Sequence, residues 1–595
     1  MVSINSSSQP SRPAPANNAA SASSIILIVL AALALVIGAI YLLRTNPSSG
    51  TWPQSYDPTG KWWLSTIVAS LPVIVLLSAM ALVRLKAHIA AAVGLLTALL
   101  VAIAIYHMPL RLALTTTVYG AGYGLFPICW IILPVIFLYQ LTVKTGRFQQ
   151  LQHSLTNITD DGRLQLLLIA FALGAFIEGA GGFGAPVAVC GAILISLGFR
   201  PIHAAGLSLI ANTAPVAFGS LGIPIVALHG VTGQDVLVLS KVIAVILVPF
   251  CLLIPFWLVW IYAGFRGMLE VWPALVVAGG VFGLTQWLMA TYTGPGLVDI
   301  AAATATMVAL VVFFRFWKPK RILNAKGEDI TADVRTRSSQ SAAATFKAWL
   351  PWLTLSVVVF VWGIPDFSHW MDAKTSIAIP VAGLHNVVQR VPPVAAVPSS
   401  EAAIFNLNWL AASGTGILVA AVLAGFLMGL GPFSLARAFA HTLFSVRFTL
   451  MTIASMLALG FVMRYCGLDA TLGLAFARTG ALYPFFGTLI GWVGTATTGS
   501  DTASNVVFGS LQQVTARQLG ISQVLMASAN SAGGVMGKMI AAPSIVVAST
   551  ATETYGQEGT ILRFVFWHSL ALAALMGVFV FLLAYTPSFA GLVAK

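Results

Sequence analysis

Two acidic side chains lie in the middle of otherwise apolar stretches of this chain. Glu178 stands in FIEGAGGFGAPVA, and Asp501 stands in TTGSDTASN. A carboxylate at the centre of a membrane-spanning helix costs roughly 2.5–3.5 kcal/mol on insertion scales, so such a residue is a functional candidate. Burial favours the neutral form of a carboxyl group, so each acid can take up a proton and release it. We predict that Glu178 and Asp501 are the residues that can bind and release a coupled proton. We favour Glu178 for this role, because Asp501 is equally well placed to cap a helix.

Small polar residues and one lysine lie at similar interruptions of the apolar pattern. They are Asn212, Thr213, Ser504, Asn505, Asn530, Ser531 and Lys538. A helix that resumes after such an interruption exposes unpaired N–H groups at its N-terminus, and these attract an anion. Together with Gly181, these residues are predicted to bind a small organic anion. Hydrogen bonding between helices is the alternative role for the amides and hydroxyls, and Lys538 can instead pair with one of the acids.

The elements that must position these residues are broken helices. Asn212 or Thr213 is predicted to cap a half-helix that Pro215 opens. Residues 498–505 are predicted to supply caps for a second half-helix, and residues 530–534, Asn-Ser-Ala-Gly-Gly, to unwind their span. Irregular backbone survives at membrane depth only where it is buried in protein or lines a watery cavity. The breaks therefore predict a cavity.

The composition places the whole chain in a membrane. Of its 595 residues, 58% are hydrophobic and 8% are charged, which is far too apolar for a protein in water. The net charge of +13 comes from basic residues in short loops between apolar runs. In such loops basic residues indicate how the chain is oriented in the membrane, and binding to nucleic acid is not expected. The four cysteines are isolated within apolar runs, and no dinucleotide or phosphate-loop context surrounds the glycines, so no cofactor or metal is expected.

The distribution of basic residues indicates how the chain crosses the membrane. If residues 165–198 crossed once, Arg200 would lie opposite Arg84 and Lys144, against the positive-inside rule. A hairpin that enters and returns on one side places all three residues in the cytoplasm. Continuing the count of spans from this point predicts that residues 482–516 form a second hairpin, which enters from the opposite side; Arg437 and Arg447 agree with this orientation, whereas Lys374, Arg390, Arg478 and Arg517 do not. The predicted fold is thus an all-α polytopic membrane protein with about 12–14 transmembrane helices and two re-entrant hairpins in inverted-topology repeats.

The predicted organisation has five parts. These are a disordered tail at 1–24, an extra N-terminal span and linker at 25–51, a first repeat at 52–264 with its hairpin at 165–198, linking spans and a basic cytoplasmic loop at 265–346, and a second inverted repeat at 347–595 with its hairpin at 482–516.

Four long segments carry a family resemblance. They are EGAGGFGAPVA, GFRPIHAAGLSLIANTAPVAFGSLGIPI, TGSDTASN and ANSAGGVMGKMI. They resemble the signature segments of the bacterial L-lactate permease family, and the resemblance runs from Trp52 to the last span. It implies a multi-pass protein of the bacterial inner membrane that imports L-lactate, and often glycolate or related 2-hydroxymonocarboxylates, together with protons. It also implies roles for the hairpin and broken-helix residues Glu178, Gly181, Asn212, Thr213, Asp501, Ser504, Asn505, Asn530 and Lys538.

Three other functions compete with a proton-coupled lactate symporter. A carrier of another small organic anion belongs to the same class and is separated from it by competition between substrates. A polytopic membrane enzyme acting on a lipid or an acyl donor requires a catalytic pair at one membrane interface, and the sequence contains no HExxH or GxSxG motif that would supply one. A passive channel is disfavoured because paired broken hairpins suit alternating access.

Overall fold

The computed structural model describes residues 50–331 and 342–586, except residues 82, 84, 157, 181, 183, 364, 396, 555 and 556. The predicted tail at 1–24, residues 25–49 of the predicted extra span and linker, and Gly181 lie outside the described residues. The described residues belong to one compact unit.

Long apolar helices make up most of the described chain, because backbone groups in lipid must find their partners within the same segment. Nine helices in the described ranges are long and apolar enough to cross a membrane, or up to eleven spans if each of two bent helix pairs counts as one. The nine are Trp62–Ala79, Ala87–Ala104, Leu110–Lys144, Gly162–Ala180, Val236–Glu270, Trp272–Tyr292, Val298–Phe316, Pro432–Cys466 and Glu558–Tyr585. The prediction of a helical polytopic membrane protein is confirmed.

Eight further helices of the described chain belong to the fold. They are Arg147–Thr156, Ala185–Ser196, Ala342–Gly363, Pro365–Thr375, Ser413–Leu427, Leu468–Ala477, Tyr483–Thr498 and Asp501–Leu519. Large apolar side chains such as Ile74, Leu100 and Val357 are exposed on the outer helices, as lipid contact requires.

The first hairpin consists of Gly162–Ala180 and Ala185–Ser196. Gly184 precedes the second limb with a φ of +85°, a conformation that favours glycine. The Cys190 thiol donates to the Ile169 carbonyl across 3.1 Å, so the two limbs lie side by side. Every residue of the first limb is buried inside the protein, which fits a segment that is surrounded by protein and not by lipid.

The second hairpin consists of Tyr483–Thr498 and Asp501–Leu519. Gly499 makes the turn with a φ of +77°. The Gln512 amide donates to the Gly487 carbonyl at 2.6 Å, so these limbs also fold back on each other. Both segments are helix–turn–helix hairpins, and their re-entry into the membrane from opposite sides stays a prediction.

The first broken span consists of Pro201–Ala211 and Val216–Thr232, which are bent by 62°. The break is longer than its proline alone requires, because Ser220, Leu221 and Gly222 all have positive φ angles. Non-glycine residues rarely adopt this conformation, so the surrounding structure must hold it in place.

The second broken span consists of Gln523–Ile540 and Ala542–Ala551, which are bent by 43°. Here the predicted break was wrong: residues 530–534 lie inside a regular helix. The bend follows Ile540, and Pro543 stands in the first turn of the next half-helix. Two glycines of the expected break instead allow close packing, because a Cβ at Gly533 would overlap the Thr488 carbonyl of the second hairpin.

A small β cap, residues 376–408, lies between two membrane helices in the chain. Its strands are Ile377–Pro380 paired antiparallel with Ile404–Leu407, and Val388–Arg390 between Ser399–Ser400 and the N-terminal strand Trp52–Pro53. Glu401 forms ion pairs with Arg390 and with Arg464 at the end of Pro432–Cys466, the latter at 3.1 Å. Burial opposes the charge of Glu401, but the two guanidinium groups hold its pKa below the ordinary value.

Candidate functional site

The two hairpins and the two broken spans meet around one cavity of about 410 Å³. Glu178, Asp501 and Lys538 all line it. Pairwise contacts join the four elements: Asn505 of the second hairpin donates to the Pro224 carbonyl of the first broken span at 3.1 Å. The three residues with the strongest predicted chemistry are therefore brought together by segments that are far apart in the sequence.

Glu178 lies near the end of the first limb of the first hairpin, and its side chain is buried. The Asn212 amide donates to Glu178 Oε2 at 3.1 Å. Gly219 faces the other oxygen, and a Cβ there would lie 2.8 Å from Oε1. The break in the first broken span thus contributes one hydrogen-bond donor and one close backbone approach to this carboxyl group.

Asp501 is the first residue of the second limb of the second hairpin. The cap of that helix is Ser500, whose hydroxyl accepts from the Ala503 N–H at 3.3 Å. The Asp501 carboxylate is free of the capping role and receives three side-chain donors. These are Ser531 at 2.6 Å, Thr495 at 3.3 Å and Asn505 at 3.4 Å.

A second layer of amides holds these donors. Asn530 donates to Asn505 Oδ1 at 3.0 Å and accepts from Gln512 at 3.1 Å. Ser504 donates to the Gly491 carbonyl at 3.2 Å, which ties the two limbs of the hairpin together. In this structure Ser504, Asn505, Asn530 and Ser531 contact Asp501 or its neighbours, and they are not among the residues that line the cavity.

Lys538 begins the short 3₁₀ turn that ends the first part of the second broken span. Its ammonium group donates to the Gly499 carbonyl at the tip of the second hairpin, at 2.8 Å. Because it lines the cavity together with Glu178 and Asp501, it places a positive charge where both acids face the same space.

Two capping predictions differ from the structure. Asn212 follows the last residue of Pro201–Ala211 and is held by its amide contact to Glu178, so it does not cap a new half-helix. The Thr213 hydroxyl donates to the Ile210 carbonyl at 2.7 Å, a local bond within the preceding turn. Both side chains satisfy groups that precede the break, since the backbone is regular α-helix again only after Gly222.

Sequence reasoning overlooked Asp299, the second residue of Val298–Phe316. Its side chain is 1% exposed, and neither carboxylate oxygen has a hydrogen-bond partner within the described part of the chain. Its position at the end of a predicted span made it look interfacial. Ser220 and Ser544 also line the cavity and were not singled out.

Many apolar helices, paired hairpins and a cavity lined by acids and a lysine define the class as a multi-pass membrane transport protein. The chain belongs to the L-lactate permease family: a family model described as L-lactate permease matches residues 65–586. This membership confirms the resemblance, and it places the chain among transporters and not enzymes.

Relatives over nearly the whole length support this assignment. The chain is 43% identical over 550 residues to the glycolate permease GlcA of Escherichia coli (strain K12), covering 90% of this chain and 98% of that one. It is 41% identical over 544 residues to the L-lactate permease of the same strain, with the same coverage. It is also 41% identical over 556 residues to the L-lactate permease of Bacillus subtilis (strain 168), covering 89% and 98%.

Two solved transporters are distantly similar in structure. The MtrF antimetabolite efflux pump of Neisseria gonorrhoeae has a TM-score of 0.41 and 14% identity, covering 80% of this chain and 84% of that one. The YdaH transporter of Alcanivorax borkumensis has a TM-score of 0.42 and 13% identity, covering 81% and 89%.

Proposed function

We propose that this protein imports L-lactate, and glycolate or related 2-hydroxymonocarboxylates, together with protons across the bacterial inner membrane. The observation that carries the proposal is the common cavity of Glu178, Asp501 and Lys538. Relatives with 41–43% identity are named L-lactate permease and glycolate permease. Both names describe carriers of small organic anions, the kind of substrate that the site chemistry favours.

The cavity suits a small carboxylate because helices begin at its wall. Gly184 precedes Ala185–Ser196, Ser500 precedes Asp501–Leu519, and Pro543 lies in the first turn of Ala542–Ala551; all three residues line the cavity. The partial positive charge of each helix N-terminus adds to the charge of Lys538. A substrate carboxylate placed there has a cation and free backbone N–H groups within one small space.

The two acids have different surroundings, which suggests different roles. Asp501 receives three side-chain donors, so it serves to organise the second hairpin. Glu178 receives one donor, from Asn212. We assign the transported proton to Glu178, because protonating it disturbs fewer hydrogen bonds than protonating Asp501 does.

We also propose that residues 52–264 and 347–595 are inverted repeats joined by residues 265–346, and that lipid surrounds them. Each half contributes one hairpin followed by one broken span, in the same order along the chain. In such transporters, binding at the interface between repeats and rocking of one part against another give alternating access.

The test is uptake of labelled L-lactate by proteoliposomes that contain the purified protein. An inward proton gradient is expected to drive accumulation, and a protonophore is expected to abolish it. Unlabelled glycolate is expected to compete with labelled L-lactate, because a relative with 43% identity is named glycolate permease. Accumulation that persists unchanged with the protonophore contradicts proton coupling.

A further inference from the structure

Asp299 is a buried acid with no structural bond to explain it. Both of its carboxylate oxygens lack a hydrogen-bond partner among the described residues, and its side chain is 1% exposed. An unpaired ionised carboxylate in such a place is so costly that the group instead binds a proton. An apolar side chain could fill the same space, so packing alone does not explain why an acid stands at this position.

The reason lies in its neighbour. A Cβ at Gly179, the residue after Glu178, would lie 2.6 Å from Asp299 Cβ, so the two acids stand on touching segments. Glu178 and Asp299 also interact electrostatically. Ionising two acids on touching, poorly solvated segments is unfavourable. At least one of the two acids therefore carries a proton.

The other titratable and charged groups near the pair are few. Cys251, on Val236–Glu270, interacts with Asp299, and its thiol donates to Gln286 Oε1 at 3.0 Å. Lys538 faces Glu178 from the cavity side. Glu178 lines the cavity, whereas Asp299 is not among its lining residues, so Asp299 lies behind Glu178 as seen from the cavity.

The helix that carries Asp299 indicates on which side of the membrane this residue lies. Val298–Phe316 carries Asp299 in its first turn and Arg315 in its last turn, and the positive-inside rule places Arg315 on the cytoplasmic side. Asp299 then lies at the outer end of its helix. The preceding turn packs on the first broken span, because the Pro295 carbonyl oxygen lies 2.9 Å from where a Cβ at Gly222 would stand.

We propose that Asp299 is a positioning residue for proton coupling, through which Glu178 receives its proton from the outer side. The transfer requires the two carboxyl groups to come within hydrogen-bond reach, directly or through one water, because neither Asp299 oxygen contacts a partner among the described residues. The O–H bond of the Asp299 carboxyl then breaks as an O–H bond forms on Glu178, and the negative charge moves from Glu178 to Asp299. A proton from the outer side then restores the neutral Asp299. This inference rests on the proposed proton-coupled transport.

The test compares Asp299→Asn with wild type in proteoliposomes, using proton-driven accumulation and L-lactate exchange at equal pH on the two sides. Asparagine has the shape of the neutral acid and cannot release its proton. Proton-driven uptake is expected to fall by roughly a hundredfold, the scale of losing one positioned proton-transfer group, whereas exchange continues. Asp299→Ser, which is smaller and suits the first turn of a helix, supplies the same test if the first variant fails to fold.

Asp469→Asn is the matched control. Asp469 is also buried and also the second residue of its helix, Leu468–Ala477, but it accepts from the Ser510 hydroxyl and the Ala470 N–H. This variant is expected to keep proton-driven uptake. If wild type does not respond to a proton gradient, the proposed function itself is wrong. If wild type responds and Asp299→Asn accumulates L-lactate equally well, or loses exchange while its thermal unfolding is normal, only the role of Asp299 is wrong.

Discussion

Replacing Gly534 by alanine tests whether close packing holds the Asp501 carboxylate in place. A Cβ at this position would overlap Asp501 Oδ1 and lie 2.6 Å from Thr495 Oγ1. The carboxylate must therefore move away from the Ser531 hydroxyl, which donates to it at 2.6 Å. The second hairpin and the second broken span would lose one of the hydrogen bonds that join them.

The expected magnitude follows from three contributions. Overfilling a packed interior costs about 1–3 kcal/mol. Losing a hydrogen bond to a charged group costs roughly 1.5–3 kcal/mol. Alanine is favoured over glycine in a helix by about 0.8–1.0 kcal/mol, which offsets part of the loss. The net destabilisation is then about 1.5–5 kcal/mol.

The assay is thermal unfolding of the purified protein in detergent, together with L-lactate uptake in proteoliposomes. Gly280→Ala is the matched control, because Gly280 lies in the helix Trp272–Tyr292 with nothing within 4 Å of the added carbon. That control is expected to unfold at or slightly above the wild-type temperature. If Gly534→Ala matches wild type in both unfolding and uptake, the packing described around Asp501 is wrong.

Three further predictions concern other parts of the molecule. Gly219→Ala places a carbon 2.8 Å from Glu178 Oε1 and is expected to reduce proton-driven uptake, while exchange measures what remains of substrate binding. Lys538→Met is expected to weaken L-lactate binding by roughly tenfold to a hundredfold, measured by titration calorimetry, whereas Lys538→Arg retains more of the affinity because it keeps the charge. Glu401 has a depressed pKa in the folded protein, so its contribution to stability is present above its ordinary value of 4.5 and is lost as the pH falls below it. Limited proteolysis of the β cap is expected to accelerate over that acidic range, and Glu401→Gln is expected to be cut readily at neutral pH as well.

The positions of the hairpins were predictable because their turns require special residues. Gly184 and Gly499 adopt left-handed conformations, and Ser500 caps the helix that follows. These are local requirements, so they leave a mark in the sequence. The apolar helices were predictable for a similar reason, since every membrane span needs a long run of apolar residues.

Contacts between distant segments were harder to predict. Residues 530–534 have the composition of a break, yet Gly533 and its neighbours serve close packing against the second hairpin. Asn212 looked like a helix cap, but its partner is a carboxyl group 34 residues earlier. Asp299 lies at the end of its span in the sequence and against Gly179 in the fold. In each case the tertiary partner decides the role, and one sequence does not name that partner.

The most direct test of the proposed mechanism is Glu178→Gln, with L-lactate and proton fluxes recorded together in the same proteoliposomes. Glutamine keeps the size of the side chain and an oxygen that accepts from Asn212, but it binds no proton in exchange. We expect this variant to exchange labelled for unlabelled L-lactate while it neither accumulates L-lactate nor moves protons. Accumulation equal to wild type, with the same proton flux, would contradict the assignment of the coupled proton to Glu178.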